Sequence, residues 1–101
     1  MSTVAIAGVG MTAFGKFLDR GLRSLSEEAV VAALADANAD PVDVDSVYFA
    51  NAAAGVVTGQ EMIRAEAALR NTGLAGKPMF NIENACASGS SALHLAWLAV
   101  R

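Results

Sequence analysis

The sequence has little cysteine, proline, aromatic residue or positive charge, and each shortage excludes a class of protein. It contains 1 cysteine and 2 prolines, aromatic residues make up 6%, and Lys and Arg total 7 against 10 Asp and Glu. A single cysteine excludes an internal disulfide and a cysteine-based structural zinc site. The basic residues are scattered and the net charge is -3, so nothing supports binding to nucleic acid.

Long hydrophobic runs are also absent. No apolar segment approaches the ~18 residues that span a bilayer, and residues 1–7 lack the basic leader of a secretory signal. Hydrophobic residues nevertheless make up 54% of the 101 residues, which is too many for a disordered chain. The sequence therefore predicts one globular, cytoplasmic unit with no membrane partner.

Alanine accounts for 22 of the residues, so the number of large apolar side chains is smaller than the hydrophobic fraction suggests. A methyl side chain allows two backbones to approach each other closely. We therefore expect helices that pack tightly against neighbouring backbone.

Strands and helices are predicted to alternate along the chain. Continuous apolar or β-branched runs predict strands at residues 4–10, 46–50 and 78–83. Helical patterns cover residues 25–38 and 60–70, and Ser24 precedes Glu27 at capping-box spacing. The small, glycine-containing stretch 51–59 is predicted to be a loop. This alternation is typical of an α/β fold with a mostly parallel sheet.

Residues 92–100 form the most informative segment. As a helix this segment is apolar on every side except at His94, so it has no solvent face and should be buried all round. No glycine, asparagine or proline ends the helix before Arg101. Because about 100 residues in a single layer cannot enclose a helix from all directions, we expect the chain to be the first part of a longer protein.

Cys86 lies between the third predicted strand and this helix, among small residues. A thiol at that junction is close to the free N–H groups and the positive dipole end of the helix, which stabilise a thiolate. Gly89 and the small neighbours leave room for a substrate carbonyl, and a strand-to-helix turn is a recurring way to present an acyl-transfer nucleophile. Most single cysteines, however, are small buried hydrophobes, so both interpretations stay open.

Residues 84–92, around Cys86, resemble the nucleophile motif of thiolases, in particular the branch related to sterol-carrier-protein and lipid-transfer thiolases. Residues 4–12 with 14–16 are similar to the start of that branch. Residues 58–60, Arg64 and the pair 73–74 fall where its loop and second helix lie. The resemblance covers the whole chain.

The resemblance implies a layered αβαβα fold made of two similar halves, of which residues 1–101 would supply the first βαβαβα portion as a partial N-terminal domain. It implies that Cys86 takes an acyl group from an acyl-coenzyme A as a thioester. Coenzyme A or a second acyl-coenzyme A then completes thiolytic cleavage or Claisen condensation. Coenzyme A thioesters would be substrates, with no covalently bound cofactor, and the whole protein would be a homodimer or a higher oligomer.

Thiolases also use an activating histidine and a second cysteine from later segments, so we expect residues 1–101 alone to be inactive. A non-catalytic thiolase-fold subunit that binds lipid or acyl-coenzyme A, or supports a catalytic partner, is the main alternative.

A dinucleotide-binding domain is a weaker alternative. Residues 8–13 match the pattern G-x-G-x-x-A, but Gly15 and Gly21 interrupt the helix that should open there. Ala50 and Asn51 also follow the second predicted strand where an acidic residue is needed.

His94 and three polar residues near Cys86 complete the set of candidates. His94 lies eight residues along the chain from Cys86, ~12 Å of helical rise, so we predict a structural histidine in the core or at an interface. Asn81, Glu83 and Asn84 suit hydrogen bonding around the active-site turn, but strand-end turns favour such residues without any function.

Overall fold

A computed structural model of the protein describes residues 3–101. Within that range the helices are α1 (Leu22–Ala37), α2 (Ala54–Thr58), α3 (Arg64–Leu69) and α4 (Ser88–Val100), and the strands are β1 (Val47–Ala50) and β2 (Met79–Ile82). A 3-10 helix at Pro41–Asp43 follows α1. None of the helices among these residues combines the length and apolarity needed to cross a membrane.

The two strands pair in parallel, as the alternation predicted. Val47 lies opposite Met79 and Ala50 opposite Ile82. The Asn51 N–H donates to the Ile82 carbonyl at 3.2 Å, which carries the pairing one residue beyond β1. Parallel strands need a crossover connection, and here α2 and α3 supply it. The strands predicted at residues 46–50 and 78–83 are confirmed.

The core lies where α3 packs between α1 and the sheet. Ala68, Leu69 and Leu74 are buried together. Partly buried side chains from α1, both strands and the connections surround them: Leu22, Val30, Val44, Val47, Phe49 and Met79. The core is therefore small. Large side chains surround it, and the alanines of α3 allow the neighbouring elements to approach closely.

Helix α1 begins earlier than predicted and without the predicted capping box. Its N-cap is Gly21, which makes no side-chain cap. Ser24 lies inside the helix, where its Oγ accepts a hydrogen bond from Arg20 Nε at 2.8 Å. Asn38 ends the helix in a left-handed conformation with φ 51°, which asparagine tolerates better than most residues. The capping-box prediction was wrong because the helix begins at Leu22, which places Ser24 inside its first turn.

The region between the strands also differs from prediction. The expected loop at residues 51–59 contains α2, whose N-terminal Ala54 N–H donates to Asn51 Oδ1 at 2.8 Å. The helix expected at residues 60–70 begins only at Arg64, because Ile63 has a left-handed φ of 43° that an α-helix cannot include. Residues 60–63 are irregular, and Arg64 Nε donates to the Gln60 carbonyl at 3.0 Å.

The strand predicted at residues 4–10 is wrong: this segment belongs to no strand in the structure. It lies against α1, and the Val9 N–H donates to Asp36 Oδ2 at 2.9 Å. A Cβ added at Gly10 would lie 2.4 Å from the Ala29 carbonyl oxygen, and one at Gly8 would lie 2.6 Å from the Ala37 nitrogen. Glycine facing alanine thus lets two backbones touch, which confirms the close packing that the alanine content predicted.

Helix α4 was expected to be buried on all sides, and within residues 3–101 it is not. Ser88 and Ala92 are its buried residues, whereas Leu93 is 64% and Val100 68% exposed. The reason is geometric, because α4 packs on β1 and β2 and these strands cover one face of it. The chain therefore presents an uncovered apolar helix surface.

The glycine contact with α1 generates a stability prediction. Gly10→Ala should lower the free energy of unfolding by about 1–3 kcal/mol, because the new methyl group overlaps α1 backbone that cannot move independently. Gly89→Ala is the matched control, since an added Cβ there meets nothing within 4 Å and alanine favours a helix. Urea unfolding of both variants checks this, and equal stability of the two would contradict the observed contact.

Candidate functional site

The candidate site lies where the parallel strands end. In a parallel sheet the carboxyl ends of neighbouring strands meet at one edge, which is where α/β proteins bind ligands. Asn51 follows β1 and Glu83 follows β2 at this edge. Cys86 stands in the turn between β2 and α4, and it is exposed as a free thiol.

The turn that carries Cys86 is tight and strained. The Ala87 N–H donates to the Asn84 carbonyl at 2.9 Å and closes the turn around Ala85 and Cys86. Ala85 has a φ of 47°, a left-handed conformation that costs an alanine roughly 1–2 kcal/mol. The Ala85 N–H donates to Glu83 Oε2 at 2.6 Å, so a strand-end carboxylate fixes the strained peptide. Strain of this kind persists only where the surroundings hold it.

Two serines on α4 hold the same turn. The Ser88 hydroxyl accepts a hydrogen bond from the Asn84 N–H at 2.8 Å and donates one to the Ala85 carbonyl at 2.7 Å. Ser91, one turn further along, accepts a hydrogen bond from Asn84 Nδ2 at 3.0 Å. The sequence interpretation did not single out these serines, although their position just after the cysteine is the signal that could have found them.

The start of α4 offers backbone donors beside the cysteine. The first N–H groups of a helix have no acceptor within the helix. The N–H groups of Ala87, Ser88 and Ser91 donate hydrogen bonds, respectively, to the carbonyls of Asn84, Ala85 and Ala87. Together with the helix dipole, the N-terminal N–H groups of a helix stabilise negative charge near such a cysteine.

A polar cavity of about 220 Å³ adjoins the turn at the same edge, lined by Phe49, Asn51, Glu61, Ile63, Arg64, Asn81, Ile82 and Glu83. Arg64 spans it, since its Nη1 donates to the Asn51 carbonyl at 2.7 Å and its Nε to the Gln60 carbonyl. Asn81 accepts a hydrogen bond from the Ala65 N–H at 2.7 Å and donates to Glu66 Oε1 at 2.8 Å. Asn81 thus anchors α3, whereas Glu83 and Asn84 build the turn of Cys86.

Of the two places that the sequence predicted for His94, the core or an interface, the structure excludes the core within residues 3–101. It is exposed on α4, and its ring stacks on Trp97 with centroids 6.2 Å apart. It lies on the helix eight residues beyond Cys86, as expected. Its place on an uncovered apolar surface leaves the interface interpretation open and removes the core interpretation.

Two other kinds of site find no support in the described part of the chain. Residues 3–101 contain no group of three or more His, Cys, Asp or Glu side chains that could hold a metal ion. The glycines at 8 and 10 are followed by no helix before Leu22, so the dinucleotide fingerprint lacks the helix that would receive a pyrophosphate.

Comparison with protein families identifies this arrangement. The family model described as the thiolase N-terminal domain matches residues 4–101. The chain belongs to the thiolase family. Its helices and small parallel sheet form part of the α/β thiolase-like fold, as the sequence predicted.

Curated thiolase-family proteins are similar over almost the whole chain. The acetyl-CoA acetyltransferase of Methanocaldococcus jannaschii is 45% identical over 100 residues, which are 99% of this chain and 25% of that protein. The benzoylsuccinyl-CoA thiolase subunit BbsB of Thauera aromatica is 40% identical, over 92% of this chain and 23% of its own length. Sterol carrier protein 2 of Homo sapiens is 38% identical, over 92% of this chain and 17% of its own length. This thiolase chain thus spans about a quarter, or less, of these relatives.

The Asn81 contacts generate a prediction about the scaffold of this site. Asn81→Asp should lower stability by about 1 kcal/mol at pH 7, because the new carboxylate faces Glu66 where an amide donor stood. Urea unfolding measures this.

The double variant Asn81→Asp/Glu66→Gln is the matched control, since the glutamine amide can donate to the new carboxylate. It should regain most of the stability at pH 7. An equal loss of stability in the single and the double variant would show that the amide's role is not electrostatic.

Proposed function

We propose that the protein is a thiolase-type acyltransferase in which Cys86 is the acyl-accepting nucleophile. One observation carries the proposal: an exposed thiol stands in a strained turn at the N-terminus of a helix, at the carboxyl edge of a parallel sheet. This is the arrangement that acyl-transfer nucleophiles use. The names of the relatives, acetyl-CoA acetyltransferase and benzoylsuccinyl-CoA thiolase, support the same reaction class.

In the first step the Cys86 sulfur attacks the thioester carbonyl of an acyl-coenzyme A. A new carbon–sulfur bond to Cys86 forms, the bond to coenzyme A breaks, and the thiol proton passes to the departing coenzyme A sulfur. The dipole of α4 stabilises the negative charge that develops.

In the second step coenzyme A or a second acyl-coenzyme A accepts the acyl group. For thiolytic cleavage the Cys86 sulfur instead attacks the 3-keto carbonyl of a 3-ketoacyl-coenzyme A, the carbon–carbon bond between C2 and C3 breaks, and the thiol proton passes to C2 of the departing acyl-coenzyme A. Coenzyme A then takes the remaining acyl group from Cys86, and its thiol proton returns to the Cys86 sulfur. When the second acyl-coenzyme A condenses, it loses an α-proton to the Cys86 sulfur as the new carbon–carbon bond replaces the thioester bond. Coenzyme A thioesters are thus substrates, with no covalently bound cofactor, and we assign the reaction to the reducing cytoplasm, where a free thiol persists.

Residues 1–101 do not supply every group that this chemistry needs. The one histidine of the chain, His94, stacks on Trp97 along α4, eight residues beyond Cys86. We therefore propose that these residues act as part of a thiolase N-terminal domain, and that other segments of the whole protein supply the activating base.

The central prediction is that Cys86→Ala abolishes turnover in the whole protein. Thiolysis of a 3-ketoacyl-coenzyme A should fall by at least about a thousandfold, because no other group in the turn can hold the acyl chain. With wild-type protein and acyl-coenzyme A, mass spectrometry of the peptide containing Cys86 should show the mass of the acyl group, and hydroxylamine should remove it. Full activity of Cys86→Ala would refute the proposal.

A second candidate function is lipid or acyl-coenzyme A binding without catalysis. An apolar cavity of about 540 Å³ between residues 4–6 and α4 favours it, lined by Val4, Ala5, Ile6, Ser90, Leu93, His94, Ala96, Trp97 and Val100. One of the relatives is named non-specific lipid-transfer protein-like 2, from Caenorhabditis elegans, 39% identical over 91% of this chain. A cavity of this size can bury a large part of a fatty acyl chain.

The two functions separate in one experiment. The Leu93→Asp variant places a charge in the cavity wall. This variant and the wild-type protein are titrated with a fluorescent fatty acid, and both are assayed for Cys86 acylation. Binding that is lost in Leu93→Asp, without acylation of wild-type Cys86, would establish the binding function. Acylation of Cys86 in the wild type would establish the enzyme.

We also propose that the whole protein is a homodimer. Within residues 3–101 β2 pairs along one edge only, with β1, so its other edge is open to a further strand. Phe80 on β2 stacks on Tyr48 and remains half exposed. Sedimentation equilibrium should therefore give twice the protomer mass. Phe80→Asp should lower the measured mass toward that of a single protomer.

A further inference from the structure

We propose that Ser88 and Ser91 are positioning residues that hold the Cys86 turn in its reactive geometry. This inference rests on the proposed function, because it concerns how Cys86 is presented to an acyl group. Neither serine needs to touch substrate. Both act through Asn84, which begins the turn.

Of the two serines, Ser88 makes more hydrogen bonds to the Cys86 turn. It is 6% exposed and is the buried polar residue of this region. Its single hydroxyl accepts from the Asn84 N–H and donates to the Ala85 carbonyl, so it bridges the two residues that precede Cys86. A hydroxyl used as both donor and acceptor ties the Asn84 N–H and the Ala85 carbonyl to the first turn of α4.

Ser91 adds a second point of attachment. Residues three apart on a helix lie on one face, so Ser88 and Ser91 point toward the same turn. Ser91 Oγ accepts from Asn84 Nδ2, so Asn84 is held through its backbone and its side chain at once. The orientation of the turn is therefore tied to the axis of α4, whose N-terminal donors stabilise charge on Cys86 or its substrate.

The strain at Ala85 makes this attachment necessary. A left-handed alanine can relax to an ordinary conformation once the groups that hold it are removed. Relaxation would move the neighbouring Cys86 relative to α4. A displacement of about 1 Å at a reacting group costs on the order of a hundredfold in rate.

The experiment compares serine variants in the whole protein. Ser88→Ala should lower kcat about 10- to 100-fold, and Ser91→Ala about 3- to 10-fold, with KM for acyl-coenzyme A changed by less than about twofold. Ser88→Thr, which keeps the hydroxyl, should recover most of the kcat. The rate of Cys86 acylation in a single turnover should fall in parallel with kcat.

Two control variants lose comparable hydrogen bonds away from the turn. Ser24→Ala removes the hydroxyl that Arg20 contacts in the first turn of α1. Thr72→Ala removes the hydroxyl that donates to the Leu69 carbonyl at 2.7 Å. Both should lose stability without losing kcat. A kcat loss in these controls equal to that of Ser88→Ala would assign Ser88 a purely structural role and overturn the proposal.

The outcomes also separate this inference from the proposed function. If Cys86→Ala is inactive while Ser88→Ala and Ser91→Ala keep wild-type kcat, the positioning role is refuted and the nucleophile stands. If Cys86→Ala is active, the proposed function fails first. If Ser88→Ala does not fold, Ser91→Ala decides: a kcat loss with unchanged KM supports the proposal, and unchanged kcat overturns it.

Discussion

The parallel pairing of β1 with β2 is the constraint on which the other described elements depend. Because both strands run in the same direction, the chain must cross over between them, and α2 and α3 form that crossover. The pairing also brings Asn51 and Glu83 to one edge of the sheet. An antiparallel pair would have placed them at opposite ends, and the polar cavity and the Cys86 turn would not share an edge.

Alanine and glycine determine how closely the remaining elements approach that sheet. Gly8 and Gly10 lie directly on the backbone of α1, where a single added methyl group would overlap it. Ala65 and Ala68 allow α3 to sit between α1 and the strands, with Leu69 filling the space that remains. Close packing of small residues thus replaces the thick core that larger side chains would build, and it leaves the apolar surface of α4 uncovered by residues 3–101.

The chemistry of the site follows from one strained turn. Ala85 is held in a left-handed conformation by Glu83 on one side and by Ser88 on the other. The exposed thiol of Cys86 stands beside the N-terminus of α4 as a result. Membership of the thiolase family and the acetyltransferase relatives agree with an acyl-transfer role for such a thiol, which is the role we propose.

The sequence by itself determined the two strands, a helix over most of residues 25–38 and another over residues 92–100, the family, and Cys86 as the residue of interest. Each of these depends on local pattern: β-branched runs, helical periodicity and a short motif. Only the tertiary structure decided that residues 4–10 pack on α1 without joining the sheet, that Ile63 delays α3, and that His94 is exposed. The same holds for the contacts of Ser88 and Ser91 with the Cys86 turn. The physical reason is that strand pairing, burial and hydrogen-bond partners depend on which distant residues come together, and local propensity carries no information about them.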